Sequence, residues 1–423
     1  MKLLCLGPQN VVPPVDGGKE SIHGALSSLA KHAYLVYVYP GAMEEDIRAS
    51  YRKINVNAVG IPYEPRDTAA GVVLATLGSY PFKFAKYSTQ GFVRQVDAAL
   101  GTEDDFDAIV CFHAHMFRLA QRLKHRRNWH IPVILREHNL EYALVESYVD
   151  SLPKLAQIPG RYLAYLTRRA EHAAWREADA VAFITDADLR VAQASGVSGH
   201  FFHAPEGTPA LPQLPPVELR ADNLIILLNP KATQSVYNVK QFLKETWFAV
   251  AGTEAMSSMN LLITGVNTEQ AVAVLGIPAE KMAACRVKSL GFVPSLAEVL
   301  SSSLAMVSPS YVGGGIRKKI LEAMAHGVPV IASELDVDSC GYFADSKNIL
   351  AFDDNAGFVR AVAALKIPAK RALIVEQAFG LIRDHANWDR FAYVFVGELK
   401  KFLPRTQGQN KDGFKSLHAA PKI

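Results

Sequence analysis

The sequence predicts an α/β protein with two domains, each built on a parallel β-sheet. Short, almost continuously apolar segments alternate with longer amphipathic segments, a pattern typical of strands buried between two layers of helices. The alternation occurs in two series, separated by the proline-rich segment APEGTPALPQLPPVE at residues 204–218. With 423 residues, the chain is long enough for two domains.

Nine apolar segments carry the strand prediction. The first series contains KLLCL, AYLVYVY, AIVCF, PVILR and AVAFIT, and the second contains LIILLN, NLLITG, LAMVS and VPVIAS. Helical periodicity is clearest over residues 19–32, 93–100, 159–178, 238–249 and 316–326. Because open parallel sheets bind ligands at the carboxyl ends of their strands, two facing sheets predict a cleft with one substrate on each wall.

These patterns divide the chain into four parts. We expect a Rossmann-like first domain over residues 1–205, a Rossmann-like second domain over 206–385, an amphipathic helix within 386–403 and a polar, mobile tail over 404–423.

Composition narrows the class of protein. Hydrophobic residues make up 49% of the chain and charged residues 20%, as in soluble globular proteins. The net charge of +4 suits anionic ligands without requiring nucleic acid, and we expect no nucleic-acid partner. The four cysteines are far apart and lack metal-site spacing, which indicates reduced thiols in a cytoplasmic protein. We predict no transmembrane helix and no signal peptide.

A glycine-rich turn followed by cations is the most informative segment, PSYVGGGIRKKILEAMAHGVPVIAS at residues 309–333. At about 100° per residue, Ile320 and Met324 share the apolar face with Ile316 and Ala323. The opposite face carries Lys318, Lys319, Glu322 and His326.

Cations in the first turn of a helix oppose its dipole, at roughly 0.3–1 kcal/mol each. An ordinary surface pair between Lys318 and Glu322 would return only about 0.2–0.5 kcal/mol. Free amides behind a glycine run are an anion site, so Arg317, Lys318 and Lys319 are better explained by a bound diphosphate. Glu322 would then lie one turn further on, as an acceptor for ribose hydroxyls.

With these residues in place, the segment resembles the donor site of glycosyltransferase family 4 and related enzymes of GT-B fold. The usual motif has two glutamates eight positions apart: the second binds the nucleotide ribose and the first contacts the donor sugar. Glu322 corresponds to the second, and Gly314 stands where the first would be. The chain is similar to the GGGTRLKILEAMA variant common in exopolysaccharide gene clusters. This resemblance implies catalytic roles for Arg317 and Lys319.

The resemblance also implies donor-binding residues around the cleft. The sugar would be held partly by the backbone of Gly313, Gly314 and Gly315, beside Ile316. In the loop PPVDGGKES, Gly17 and Gly18 correspond to a glycine pair beside the donor phosphates, although an ordinary strand-to-helix turn explains them equally well. Lys231 would contact the diphosphate or be a surface lysine, and Gly291 and Phe292 would lie by the base.

Polar side chains after two first-domain strands are candidates for the other wall of the cleft. His113 and His115 follow AIVCF, where the family often has a histidine near the transferred sugar, and His115 is preferred as a catalytic residue. His138, Asn139 and Glu141 match a family segment that shapes the acceptor cleft, although Asn139 could be a helix cap. The histidines suggest no third metal ligand, so we predict no metal site.

Taken with the resemblance, the sequence predicts a retaining, metal-independent glycosyltransferase. It would need no cofactor, since a UDP- or GDP-linked sugar is the substrate. The acceptor would be a glycan or a polyprenyl-linked glycan in bacterial surface polysaccharide synthesis, and the helix within 386–403 would cross back to the first domain. Residues 77–95 mix aromatics and cations, which suits peripheral contact with the inner face of the membrane or, equally, a buried loop with extended lysine stems.

Two other classes compete with this interpretation. The absence of an acid at Gly314 would suit a catalytically inactive GT-B scaffold that binds a nucleotide sugar or a partner protein. Another GT-B enzyme, such as a sugar-nucleotide epimerase, is the second alternative. A dinucleotide-dependent dehydrogenase is disfavoured because no G-x-G-x-x-G follows the first strand.

Overall fold

The computed structural model describes residues 1–65, 80–150, 153–209, 214, 222–312 and 318–403. Its architecture is two α/β domains, with a seven-stranded sheet in the first and a six-stranded sheet in the second. Every strand pair within the two sheets is parallel. The fold class predicted from the sequence is therefore confirmed.

The first sheet has the strand order β3-β2-β1-β4-β5-β6-β7. Its strands are β1 (Lys2–Leu6), β2 (Tyr34–Pro40), β3 (Val56–Ile61), β4 (Ala108–Phe112), β5 (Val133–Glu137), β6 (Ala180–Phe183) and β7 (Phe201–His203). At the centre, Leu4 pairs with Val36 on one side and Ile109 on the other.

The second sheet has the order β10-β9-β8-β11-β12-β13. Its strands are β8 (Asn223–Leu227), β9 (Asn260–Thr264), β10 (Val287–Gly291), β11 (Ala305–Ser308), β12 (Val330–Ser333) and β13 (Leu350–Phe352). Here Ile225 pairs with both Leu262 and Met306.

Helices connect the strands and cover both sheets. The first domain contains α1 (Gly17–Leu29), α2 (Glu45–Arg52), α3 (Phe82–Ala85), α4 (Gln90–Leu100), α5 (Phe117–Arg127), α6 (Glu141–Asp150), α7 (Lys154–Glu177) and α8 (Asp186–Ala194). The later helices are α9 (Thr233–Phe242), α10 (Phe248–Val250), α11 (Thr268–Leu275), α12 (Ala279–Ala284), α13 (Leu296–Ser301), α14 (Lys318–Ala325), α15 (Glu334–Asp338), α16 (Asn355–Lys366), α17 (Pro368–Asp384) and α18 (Trp388–Leu399).

All nine predicted strands are present, and four further strands were missed. Those four, β3, β7, β10 and β13, are the edge strands of the two described sheets. An edge strand has fewer neighbours and need not be apolar on both faces, so it lacks the continuous apolar run used for prediction. In β10, for example, buried Val287 is followed by exposed Lys288.

Each sheet has a hydrophobic core on both faces. In β1, Leu4 and Leu6 contribute to one core of the first domain, whereas Leu3 and Cys5 contribute to the other. The second core also contains Phe391, Phe395 and Leu399 of α18. The last described helix therefore packs on the first domain, against α1.

The described residues also bear on the cysteines, on membrane spans and on residues 77–95. All four cysteines are free thiols. No described helix is long and apolar enough to cross a membrane. Within residues 77–95, Phe84 and Phe92 are fully buried, while 77–79 lie outside the described residues. Residues 404–423, predicted to form a mobile tail, and much of the proline-rich boundary also lie outside them.

Candidate functional site

A cavity of about 460 Å³ lies between the two domains, where loops from the carboxyl ends of both sheets meet. The first domain contributes the start of α1 and the loop after β5. The second contributes the loops after β8 and β11 and the first described turn of α14. The cavity therefore occupies the position at which two facing parallel sheets are expected to bind ligands.

The amino-terminal end of α1 forms one wall. Asp16 caps the helix by accepting a hydrogen bond from the amide of Lys19, and Gly17 and Gly18 follow it. Both glycines line the cavity, and within the described part of the chain no atom beyond the adjoining backbone lies within 4 Å of the position a Cβ on Gly17 would take. Unpaired amides at this helix end favour an anionic ligand.

Helix α14 forms the facing wall. Ile320, Ala323 and Met324 are fully buried beneath it, while Lys318, Lys319 and Glu322 line the cavity, which confirms the predicted faces. Burial raises the pKa of Glu322, the charge of Glu20 adds to this rise, and Lys318 opposes it. Gly313, Gly314, Gly315, Ile316 and Arg317 lie outside the described residues.

Lys318 joins the two walls. Its Nζ lies 3.1 Å from Glu20 Oε2 and 3.8 Å from Glu206 Oε1, both in the first half of the chain. The same ammonium lies 5.6 Å from the ring centroid of Trp388 in α18. One cation of the second domain thus contacts three elements packed on the first sheet.

A buried polar network lies behind α1. Ser21 Oγ donates to Glu206 Oε2 at 2.6 Å, and Arg136 Nη2 donates to the same oxygen at 3.1 Å. Arg136 Nη1 donates to Ser21 Oγ at 3.1 Å and contacts His138 Nε2. Burial lowers the pKa of His138 well below its ordinary value, with further lowering by His113 and Arg136, so this ring is neutral and can accept.

Sequence reasoning missed Arg136 and Glu206. Arg136 ends an apolar strand, where its side chain is 0% exposed, and Glu206 lies in the proline-rich segment at 1% exposure. The strand prediction did include Arg136 as a residue of PVILR, and a charge at the end of a fully buried strand was the available signal. Glu206 carried no signal, because its partners come from distant segments.

His138 and Asn139 line the cavity, but His113, His115 and Glu141 do not. These three form a cluster directly behind His138, with the ring centroids of His113 and His138 4.1 Å apart. Burial lowers the pKa of His113 and, more strongly, that of His115. Burial alone would raise the pKa of Glu141, but nearby His113, whose Nδ1 lies 3.5 Å from Glu141 Oε1, and the charge of Lys83 hold that pKa well below its usual range.

Asn238 of α9 is a third residue that sequence reasoning missed. Its Oδ1 accepts from the amides of Tyr311 and Val312 at 3.0 and 3.2 Å, and its Nδ2 donates to the Val312 carbonyl at 3.1 Å. Asn238 also lines the cavity. It therefore fixes the loop that leads from β11 into the glycine-rich segment.

Three candidate donor-binding residues lie away from the cavity wall. Lys231 is exposed in the loop after β8, and its amide donates to Asn229 Oδ1 at 3.0 Å. Gly291 ends β10 with a φ of 73°, and the side chain of Phe292 is 87% exposed. Two residues near Lys231 in the loop after β8, Asn229 and Ala232, do line the cavity.

Residues 232–366 match the family model described as "Glycosyl transferases group 1". The matched region includes α14 and the loop after β11. No curated protein matches the chain by sequence.

Solved structures match nearly the whole chain. Sucrose-phosphate synthase from Thermosynechococcus elongatus has a TM-score of 0.68 at 16% identity, covering 95% of this chain and 98% of that one. Anabaena HepE in complex with UDP has a TM-score of 0.64 at 12% identity, covering 95% and 100%. The apo lipopolysaccharide outer core galactosyltransferase WaaB has a TM-score of 0.60 at 16% identity, with the same coverage as HepE. The chain therefore has the two-domain GT-B fold seen in glycosyltransferases.

Proposed function

We propose that the protein is a glycosyltransferase whose donor, a sugar linked to a nucleoside diphosphate, binds in the interdomain cavity. The observation that carries the proposal is the convergence of the α1 amino terminus with Lys318, Lys319 and Glu322 on that cavity. The match of residues 232–366 to the group 1 glycosyltransferase family supports it.

The chemistry of sugar transfer fits this charge distribution. When the glycosidic bond breaks, the departing diphosphate gains negative charge, and preorganised amides and cations stabilise that charge most strongly in the transition state. Lys318, Lys319 and the amides at Gly17 and Gly18 supply such groups, with Arg317 as a further candidate. The leaving group would thus be stabilised without a metal ion at the diphosphate.

We assign the remaining donor contacts from the cavity lining and the family resemblance. Glu322 accepts hydrogen bonds from the ribose hydroxyls, and exposed Phe292 covers the base. UDP is the preferred nucleotide, because HepE binds it within the same fold, and GDP is the alternative. The transfer proceeds with retention of anomeric configuration, with His138 and Asn139 on the acceptor side and His113, His115 and Glu141 behind them.

The acceptor is proposed to be a glycan or a polyprenyl-linked glycan of a bacterial surface polysaccharide, handled on the cytoplasmic side of the membrane. Peripheral membrane contact would bring the enzyme to a lipid-linked acceptor. The galactosyltransferase WaaB, named for the lipopolysaccharide outer core, supports this substrate class through its similar fold.

Nucleotide-dependent thermal stabilisation tests donor binding. A ligand at 100 times its dissociation constant stabilises the folded state by about 2.7 kcal/mol. We expect UDP to raise Tm in the native chain and to lose most of that effect in Glu322→Ala. The matched control is Glu376→Ala, an exposed mid-helix glutamate of α17, which should respond like the native chain. No shift with UDP, GDP or ADP would overturn the proposal.

A turnover assay then distinguishes an enzyme from an inert scaffold. The glycine at position 314, where an acid is usual, is the feature that would favour the scaffold. UDP release from UDP-sugars, with candidate lipid-linked acceptors, should be detectable in the native chain. The anomeric configuration of the product, read by NMR, tests retention. Binding without any donor turnover would support the inactive scaffold instead.

A further inference from the structure

Behind His138, three potential metal ligands converge in the first domain. His113 and His115 follow β4, and Glu141 is the first residue of α6. The Nδ1 atoms of His113 and His115 lie 3.5 and 3.9 Å from Glu141 Oε1. One ligand atom from each residue can be chosen so that all three lie within 4.8 Å of one another.

The hydrogen bonding of these histidines is incomplete. The His115 side chain is 4% exposed, yet neither of its ring nitrogens has a hydrogen-bond partner among the described residues. His113 Nδ1 also lacks a bond of acceptable geometry within that part of the chain. Burying a polar group without a hydrogen bond costs about 1–3 kcal/mol of folding free energy. A ligand that binds these ring nitrogens would remove that cost.

Backbone strain and ring packing hold the two histidine rings in place. His113 has a φ of 77° and a ψ of 147°, a combination that is strained for a residue with a Cβ. The ring centroids of His113 and His115 lie 4.9 Å apart, and that of Tyr87 lies 5.0 Å from His115, both in stacked orientation. Strain of this kind persists only where surrounding contacts impose it, and it often marks a binding site.

We propose that His113, His115 and Glu141 bind a divalent transition-metal ion of the zinc class. Two imidazoles and one carboxylate form a protein ligand set known for zinc, with the fourth position open to water. Bonds of about 2.0–2.1 Å in tetrahedral geometry place ligand atoms about 3.3 Å apart. The two nitrogen–oxygen distances of 3.5 and 3.9 Å are close to this value, and binding would draw the three ligand atoms, which lie within 4.8 Å of one another, closer together.

Histidine nitrogens favour zinc over magnesium or calcium, which prefer all-oxygen ligand sets. Three nearby cations, Lys83, Lys86 and Arg136, oppose a dication at this site. The Lys86 ammonium lies 5.3 Å from the Tyr87 ring centroid. The Lys83 ammonium contacts the other Glu141 oxygen, Oε2, but its side chain is 51% exposed and can turn into solvent. Arg136 is already paired with Glu206 at 3.1 Å.

The ion would connect the end of β4 to the start of α6. His138 and Asn139 lie between β5 and α6 and line the cavity, so the same ion would fix the loop on the acceptor side. This role is structural and separate from the diphosphate. The inference therefore does not depend on the transferase proposal.

Zinc content of the full chain, purified without a histidine tag, provides the direct test. The tag-free protein is equilibrated with zinc, desalted and analysed by plasma mass spectrometry, and its affinity is measured by competition with a zinc chelator. Cobalt in place of zinc should give the visible absorption of a tetrahedral ion. We expect about one ion per chain.

His115→Ala and Glu141→Gln should weaken zinc binding by at least about 10- to 100-fold. His130→Ala, at an exposed histidine, is the matched control and should bind like the native chain. Circular dichroism verifies folding, and if His115→Ala does not fold, the isosteric Glu141→Gln decides. A folded native chain that binds no zinc, or variants that bind it as tightly as the native chain, would overturn the proposal.

Discussion

Lys318 Nζ lies 3.1 Å from Glu20 Oε2, which connects the first described turn of α14 to the first turn of α1 across the interdomain cavity. In this pair the Glu20 carboxylate occupies the Lys318 ammonium, which we propose also binds the donor diphosphate. A bound diphosphate must share Lys318 with Glu20 or replace it. The ion pair therefore couples domain contact to donor binding.

Replacement of Glu20 by glutamine should tighten UDP binding. The substitution removes a competing carboxylate, and exposed or partly exposed pairs of this kind are worth about 0.2–1 kcal/mol, or roughly 1.4- to 5-fold in affinity. Isothermal titration calorimetry at low and high salt checks this, since screening should reduce the gain. Glu44→Gln, at an exposed first-domain glutamate, is the control. Weaker UDP binding in Glu20→Gln would show that Glu20 assists the donor.

Asn238→Ala should destabilise the second domain and loosen the loop after β11. The side chain makes three hydrogen bonds to the backbone of Tyr311 and Val312, and the buried groups left unpaired cost about 1–3 kcal/mol. Urea unfolding measures the loss. Asn238→Asp keeps both acceptor bonds but sets a carboxylate oxygen against the Val312 carbonyl, so it should lose stability as well. An unchanged stability in Asn238→Ala would contradict this account.

Gly24→Ala should disturb the packing of α18 on the first domain. A methyl group at this position in α1 would overlap the indole of Trp388, and overpacking of this kind costs about 1–3 kcal/mol. Gly397→Ala, within α18 itself, has no neighbour among the described residues within 4 Å of the added carbon, apart from its own helix backbone, and should be neutral or stabilise by about 0.5–1 kcal/mol. Thermal unfolding compares them, and a neutral Gly24→Ala would mean that α18 is not closely packed on α1.

Stability should fall as pH rises towards about 8, because of buried Glu137. Burial raises the pKa of Glu137 to about 8, while the hydrogen bond from Trp175 opposes the rise. Burial and the charge of Glu137 likewise raise the pKa of Glu171. Below about pH 6.5 the lowered pKa values of buried His113, His115 and His138 act in the opposite direction, so the test window is about 6.5 to 8. In that window the folded state holds a proton that the unfolded state has lost, so the free energy of unfolding decreases with rising pH, by up to about 1.4 kcal/mol per unit.

Urea unfolding across this pH range, with Trp175 fluorescence as a local probe, checks the sign. Trp175 Nε1 donates to Glu137 Oε1 at 2.8 Å, so its emission should report the same titration. Glu137→Gln should flatten the pH dependence, whereas the exposed Glu44→Gln should leave it unchanged. A stability that rises with pH over this window would refute the assignment.

Local sequence determined the centre of each sheet and the faces of α14. Interior strands are buried on both faces, so their residues are apolar at consecutive positions, as in AIVCF for β4. Helical spacing alone placed Ile320 and Met324 in the core and Glu322 on the cavity side. The four edge strands lacked that continuous signal.

Only the tertiary structure decided which distant charges meet. Glu206 meets Arg136, which lies 70 positions earlier in the chain, and Lys318 of α14, and nothing in the local sequence distinguishes Glu206 from a surface glutamate. Glu141 becomes a third potential metal ligand only because the ends of β4 and β5 are adjacent in the sheet. The periodicity of apolar residues within one element is a local consequence of its burial. The pairing of distant charges depends on strand order, and no short pattern in a single sequence encodes that order.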